Sequence, residues 1–161
     1  MIVLVGFMGA GKTTVGRLLA AELGVPFTDS DHVIEDRAGK PIRQIFAYDG
    51  EPAFRALEHQ VIADLLAGPD IVLAVGGGAV EHPLTRKLLA EAPVAFLRVG
   101  YDEALRRVGG DGGRPMLARH DIADVYAARQ AAYAAVATLT ADVDGRSPED
   151  ISAGILARLG S

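Results

Sequence analysis

The stretch Gly6-Phe7-Met8-Gly9-Ala10-Gly11-Lys12-Thr13 constrains this chain more than any other. A glycine, four free positions and then Gly-Lys-Thr form the nucleotide-binding P-loop pattern. The apolar run Ile2-Val3-Leu4-Val5 leads into it, and Val15, Leu18, Leu19 and Leu23 follow at helical spacing. The segment therefore reads strand, glycine-rich loop, helix. That context separates the motif from an ordinary glycine-rich turn. Glycines let successive N–H groups turn inward on an anion, at a helix start that adds partial positive charge. Gly9, Ala10, Gly11 and Thr14 would then cradle phosphates, Lys12 would reach the outer ones, and the Thr13 hydroxyl would hold a magnesium ion. The chain is expected to bind a nucleoside triphosphate.

Its 161 residues suit one α/β domain with a core large enough to fold alone. A net charge of −5 argues against a broad nucleic-acid-binding face. No apolar run approaches the roughly 18 residues of a membrane span. Met1 runs straight into the first strand with no basic segment ahead of it, so no secretory signal is expected. Cysteine is absent, which excludes disulfides and thiolate metal sites. The expectation is a cytoplasmic monomer acting on small molecules, with neither nucleic acid nor membrane as partner.

Further along, Val25 to Thr28 read as a short second strand that runs into Asp29-Ser30-Asp31. Ligands of open parallel sheets sit beyond the carboxyl ends of the strands, so both acids would face the P-loop crevice. Alternation in an extended chain would turn them the same way. They could serve a metal and take a proton from an attacking hydroxyl, or Asp31 could simply cap the next helix. A short helix over Pro41–Phe46 and a longer one from Gly50-Glu51-Pro52 follow; the latter carries Phe54, Arg55 and Glu58. Spacing alone favours a surface i,i+3 ion pair for Arg55 over a clamp on a substrate carboxylate.

Ile71–Val75 has the continuous apolar character of a buried central strand and ends in Gly76-Gly77-Gly78. Three adjacent glycines leave room for a ligand beside exposed backbone N–H groups. The strand carries no acid for magnesium, so the metal must lean on Thr13, water and the Asp29/Asp31 pair. A helix from His82-Pro83, a strand over Val94–Val99 and a helix over Tyr101–Val108 come next. Then Gly109-Gly110-Asp111-Gly112-Gly113-Arg114 cannot hold a regular element. With Arg107 and Arg119 on either side, it reads as a lid bringing Arg114 to the phosphates, or as a plain surface loop. Arg129 and Tyr133 lie four apart on a helix over Asp121–Val136, either an exposed pair or a second clamp. A fifth strand over Thr138–Val143 and a last helix from Arg146-Ser147-Pro148 complete a doubly wound α/β order.

Together these landmarks resemble shikimate kinase from the first strand to the last helix. The specific ones are Asp29-Ser30-Asp31, Gly50-Glu51 with Phe54-Arg55 and Glu58, Gly76-Gly77-Gly78, Arg114-Pro115-Met116-Leu117, and Arg129 with Tyr133. The resemblance implies a three-layer P-loop kinase fold, a five-stranded parallel sheet of order 2-3-1-4-5 flanked by helices. It implies a single domain over 1–161, with a substrate-binding region at about 31–60 and a lid at about 108–121. It implies transfer of the γ-phosphate of ATP, with Mg2+, to the 3-hydroxyl of shikimate, in aromatic amino-acid biosynthesis. Lys12, Asp31 and Arg114 would then be catalytic and Asp29 would support the metal. Arg55 and Arg129 would grip the shikimate carboxylate, Gly76, Gly77 and Gly78 would lie beside the ring, and Phe46 and Phe54 would wall the pocket. Arg107, Arg146 and Pro148 would flank the nucleotide. Ala74 departs from the family, standing where many relatives carry a hydroxyl near the metal-bound waters.

The rivals are gluconate kinase on the same scaffold and a non-catalytic nucleotide-binding module. Paired arginines suit a carboxylate better than gluconate kinase requires, and the His-rich segment of gluconate kinases is missing after the second strand. The chain has no asparagine, so it lacks the Asn-Lys-x-Asp guanine reader of a GTPase.

Overall fold

The computed structural model describes residues 1–108 and 121–160. Strands β1 (Ile2–Val5), β2 (Phe27–Asp29), β3 (Val72–Ala74), β4 (Val94–Arg98) and β5 (Leu139–Asp142) form one sheet of order β2-β3-β1-β4-β5. Every pairing is parallel: Val3 lies between Leu73 and Val94, and Asp29 is level with Ala74. This is the order expected from the resemblance. Parallel strands need crossover connections, and here helices supply them. They are α1 (Lys12–Leu23), α2 (Ser30–Ala38), α3 (Ile42–Tyr48), α4 (Glu51–Ala67), α5 (Pro83–Ala90), α6 (Tyr101–Val108), α7 (Ile122–Val136) and α8 (Pro148–Leu159).

The central strand β1 is buried along its whole length, as its unbroken apolar run requires when helices cover both faces. Val3, Leu4, Leu73, Phe96 and Leu97 form the middle of the core, joined by Val15 and Leu19 from α1 and Ile155 from α8. A second cluster of Ile34, Ile45, Phe54 and Val61 holds α2, α3 and α4 together at one end of the sheet. No described helix is long and apolar enough to cross a membrane.

β1 has the bounds expected from sequence. β3, β4 and β5 stop one residue short of their expected ends, because apolar residues such as Ile71, Val75, Val99 and Val143 stay buried after the ladder stops. β2 starts two residues later and ends one residue later than expected. One expectation is corrected. β2 ends at Asp29 and α2 begins at Ser30, so strand alternation does not orient Asp29 and Asp31. Asp29 is itself the cap, its Oδ1 accepting from the Asp31 N–H at 2.9 Å, and Asp31 lies in the first helical turn.

Candidate active site

Backbone geometry builds the anion cradle first. Gly9 and Gly11 have φ of 83° and 88°, a left-handed region that side chains with a Cβ enter at a cost, and Gly11 is the residue from which α1 departs. The loop thus curls along a cleft of about 520 Å³ at the carboxyl ends of β1 and β3. Gly9, Ala10, Gly11, Lys12, Thr13 and Thr14 all line that cleft. The Lys12 ammonium donates to the Gly6 carbonyl at 2.7 Å and lies along the loop. Arg107, on α6, lines the same end and donates from Nη1 to the Gly9 carbonyl at 2.8 Å. Its Nε is held by Glu103 at 2.9 Å, a turn earlier on the same helix.

The other end of the cleft is lined by Asp29, Asp31, Phe46, Phe54, Arg55, Glu58, Gly76, Gly77, Gly78 and Arg129. Phe46 and Phe54 face each other with ring centroids 4.7 Å apart, forming an apolar wall. Arg55 donates to Glu58 Oε1 at 2.7 Å, so the i,i+3 pair expected from spacing does form. It is not a surface pair: the Glu58 side chain is 1% exposed and that of Arg55 13%. Arg129 and Tyr133 are likewise buried, at 5% and 1%, which removes the exposed-pair alternative. The Tyr133 hydroxyl donates to the Gly77 carbonyl and ties α7 to the glycine turn.

Close approach explains two of those glycines, Gly76 and Gly78. A Cβ at Gly78 would overlap a guanidinium nitrogen of Arg55 and come within 2.8 Å of one from Arg129. A Cβ at Gly76 would lie 2.8 Å from Asp31 Oδ1 and 3.1 Å from Glu58 Oε2. Both arginines, arriving on different helices, therefore converge on one point of the β3 turn.

Burial governs the acids. It pushes Asp31 up to about 6, with repulsion from Asp29 adding and Lys12 and Arg55 pulling back. It pushes Glu58 up to about 7, outweighing the favourable charge and hydrogen bond of Arg55. A carboxyl at Asp31 that titrates near neutrality, beside an anion cradle, is suited to accept a proton from a hydroxyl.

The residues present also fit a magnesium ion, which characteristically takes one or two protein oxygens and completes its shell with water and phosphate oxygens. Thr13 and Asp29 offer such oxygens in the cleft. No described cluster of three or more His, Cys, Asp or Glu could hold an ion without a nucleotide. The register that sets Asp29 level with Ala74 explains why the acid comes from β2 although β3 has none.

Two nucleotide-side residues are not brought to the cleft. Arg146 spends its guanidinium on the carbonyls of Asp142 and Asp150, and neither it nor Pro148 lines the cavity among the described residues. Arg114 and the lid at about 108–121 lie, but for its two ends, outside the described residues. Glu58, a motif residue but not among the site residues read from the sequence, belongs to the wall. Its signal was there, three residues after Arg55 on one helix face. Glu81, which pairs with both Arg55 and Arg129, carries no local signal, because its partners lie far away in the chain.

A P-loop at one end of a cleft, with a buried acid and two convergent arginines at the other, defines a small-molecule kinase with a pocket for a carboxylate-bearing acceptor. Comparison with known proteins narrows that class. The shikimate kinase family model matches residues 8–160. The shikimate kinase of Saccharopolyspora erythraea is 48% identical, over 98% of this chain and 92% of that relative. The solved shikimate kinase from Acinetobacter baumannii in complex with shikimate has a TM-score of 0.93 at 38% identity, covering 98% of this chain and 91% of that one. The chain belongs to the shikimate kinase family. A gluconokinase from Sinorhizobium meliloti, with a TM-score of 0.61 at 22% identity over 99% of this chain and 90% of that one, shares the fold alone.

Proposed function

We infer that the chain transfers the γ-phosphoryl group of ATP to the 3-hydroxyl of shikimate, giving shikimate 3-phosphate and ADP. The observation that carries this reading is the convergence of Arg55 and Arg129 over Gly78, in the same cleft as Lys12. Two guanidinium forks aimed at one point suit a planar carboxylate, and the Phe46/Phe54 wall suits the apolar edge of a ring. In this reading Gly76, Gly77 and Gly78 let the ring lie against backbone.

Asp31 accepts the proton of the attacking hydroxyl while the P-loop N–H groups and Lys12 stabilise the charge that develops on the transferring group. Thr13 and Asp29 would hold magnesium, which when bound neutralises phosphate charge. Arg107 lies against the loop at the nucleotide end. The assignments of Arg114 to phosphate, of Arg107 and Pro148 to the base and of Arg146 to the nucleotide rest on the family resemblance. Cytoplasmic location, the monomeric state and the single domain over 1–161 belong to the same proposal.

The test is ADP release measured in a coupled assay with shikimate, gluconate or no acceptor. Release that depends on shikimate and not on gluconate is expected. Tight ATP binding with no acceptor-dependent release would instead make the chain a nucleotide-binding module.

A further inference from the structure

Glu81 closes the short 3-10 turn Ala79–Glu81 that follows the glycine turn, and its N–H donates to the Gly78 carbonyl at 3.0 Å. Its Oε1 accepts from Arg129 Nε at 3.1 Å and lies 3.1 Å from Arg129 Nη2, and its Oε2 lies 3.7 Å from Arg55 Nη2. One carboxylate, anchored to the turn against which the ring would lie, thus ties together arginines from α4 and α7. Arg55 and Arg129 line the cleft, whereas Glu81 does not. Its side chain is 37% exposed. It contacts the two Nη2 nitrogens that converge over Gly78, and Arg129 Nε, from outside the cavity lining.

Two guanidinium groups meeting over one glycine repel each other, and long side chains have many rotamers in which to separate. Glu58 holds Arg55 from one side. For Arg129, Glu81 is the carboxylate within ion-pair reach among the described residues. We propose that Glu81 is a positioning residue of the acceptor site: it holds Arg55 and Arg129 together and aimed at one point, so that they receive a carboxylate already oriented. This inference rests on the assignment of those arginines to the substrate carboxylate.

The experiment compares Glu81→Gln with the unchanged enzyme in steady-state kinetics, with Arg55→Ala alongside and thermal melts of each. Glu81→Gln is expected to raise the shikimate KM roughly three- to tenfold, the scale of a partly exposed ion pair, with kcat within about twofold and the ATP KM unchanged. The penalty should be specific to the acceptor's charge. As a competitive inhibitor, the methyl ester of shikimate should bind Glu81→Gln and the unchanged enzyme equally, because it brings no carboxylate for the arginines to meet. Glu81→Asp, which keeps the charge and shortens the reach, should fall between the two, and it carries the test if Glu81→Gln does not fold. An unchanged KM overturns the proposal. A lowered KM does so too, since Glu81 would then be competing with the substrate. An equal loss for acid and ester overturns it by showing a general structural effect. If Arg55→Ala leaves the KM unchanged, the carboxylate clamp itself is wrong. If Arg55→Ala raises the KM and Glu81→Gln does not, only the role of Glu81 falls.

Discussion

At Asp31, burial and the neighbouring Asp29 raise the proton affinity to about 6, and the cations Lys12 and Arg55 oppose them. As the proposed base the group must be ionised to take a proton, so kcat/KM for shikimate should rise with pH through about 6 and level off above it. Asp31→Asn should remove that acidic limb along with most of the activity, as a pH–rate profile would show. Lys12 and Arg55 act on different quantities. Lys12→Ala removes charge that counts most in the transition state, so kcat should fall on the order of 10²–10³-fold in the assay of ADP release. In the proposed clamp, Arg55→Ala would remove a charged hydrogen bond to the acceptor, so the shikimate KM should rise roughly 10- to 100-fold. Arg55 is also where spacing was a poor guide. Its i,i+3 partner Glu58 is identifiable from sequence, yet an exposed pair and a buried clamp look the same along the chain.

Among the elements, α7 shows how one helix face serves both packing and chemistry. Arg129 and Tyr133 are one turn apart and both buried, so each reaches the glycine turn after β3 from the same side. Tyr133→Phe would leave the Gly77 carbonyl without that donor in a partly buried setting. A loss of about 1–3 kcal/mol in unfolding free energy is expected, measured by denaturant titration, together with a higher shikimate KM because the turn loses its tether. A change in neither quantity would separate α7 from the site. At α2 the cap is Asp29 and not Asp31, the alternative role open to Asp31 in the sequence, and Asp31 lines the cleft. Strand-to-helix boundaries are poorly marked in sequence when acids and serine follow one another, since each of the three can start a helix.

For the whole molecule, the two buried acids give stability an unusual pH dependence. Asp31 and Glu58 hold protons more tightly folded than unfolded, at about 6 and about 7 against ordinary values of 3.8 and 4.5. Their contribution is fully present below about pH 4 and is lost as pH rises through 6 to 7. Unfolding free energy of the ligand-free enzyme should therefore fall between about pH 4 and 7. Glu58→Gln should flatten that slope, and an equal slope in denaturant titrations of both proteins would count against it. Nucleotide should act in the opposite sense, adding about 2.7 kcal/mol at 100 times its dissociation constant if it binds only the folded state.

Sequence by itself determined the P-loop, the parallel α/β order and most residues of the cleft, because these depend on local backbone chemistry and on apolar runs that one strand or helix must bury. Its resemblance to a family carried the strand order and the pairing of Arg55 with Arg129. Tertiary structure alone decided which charged side chains are buried, that Arg55 and Arg129 meet over Gly78, and that Glu81 bridges them. Those contacts join α4, the β3 turn and α7, and no periodicity along a chain encodes the distance between elements that only packing brings together.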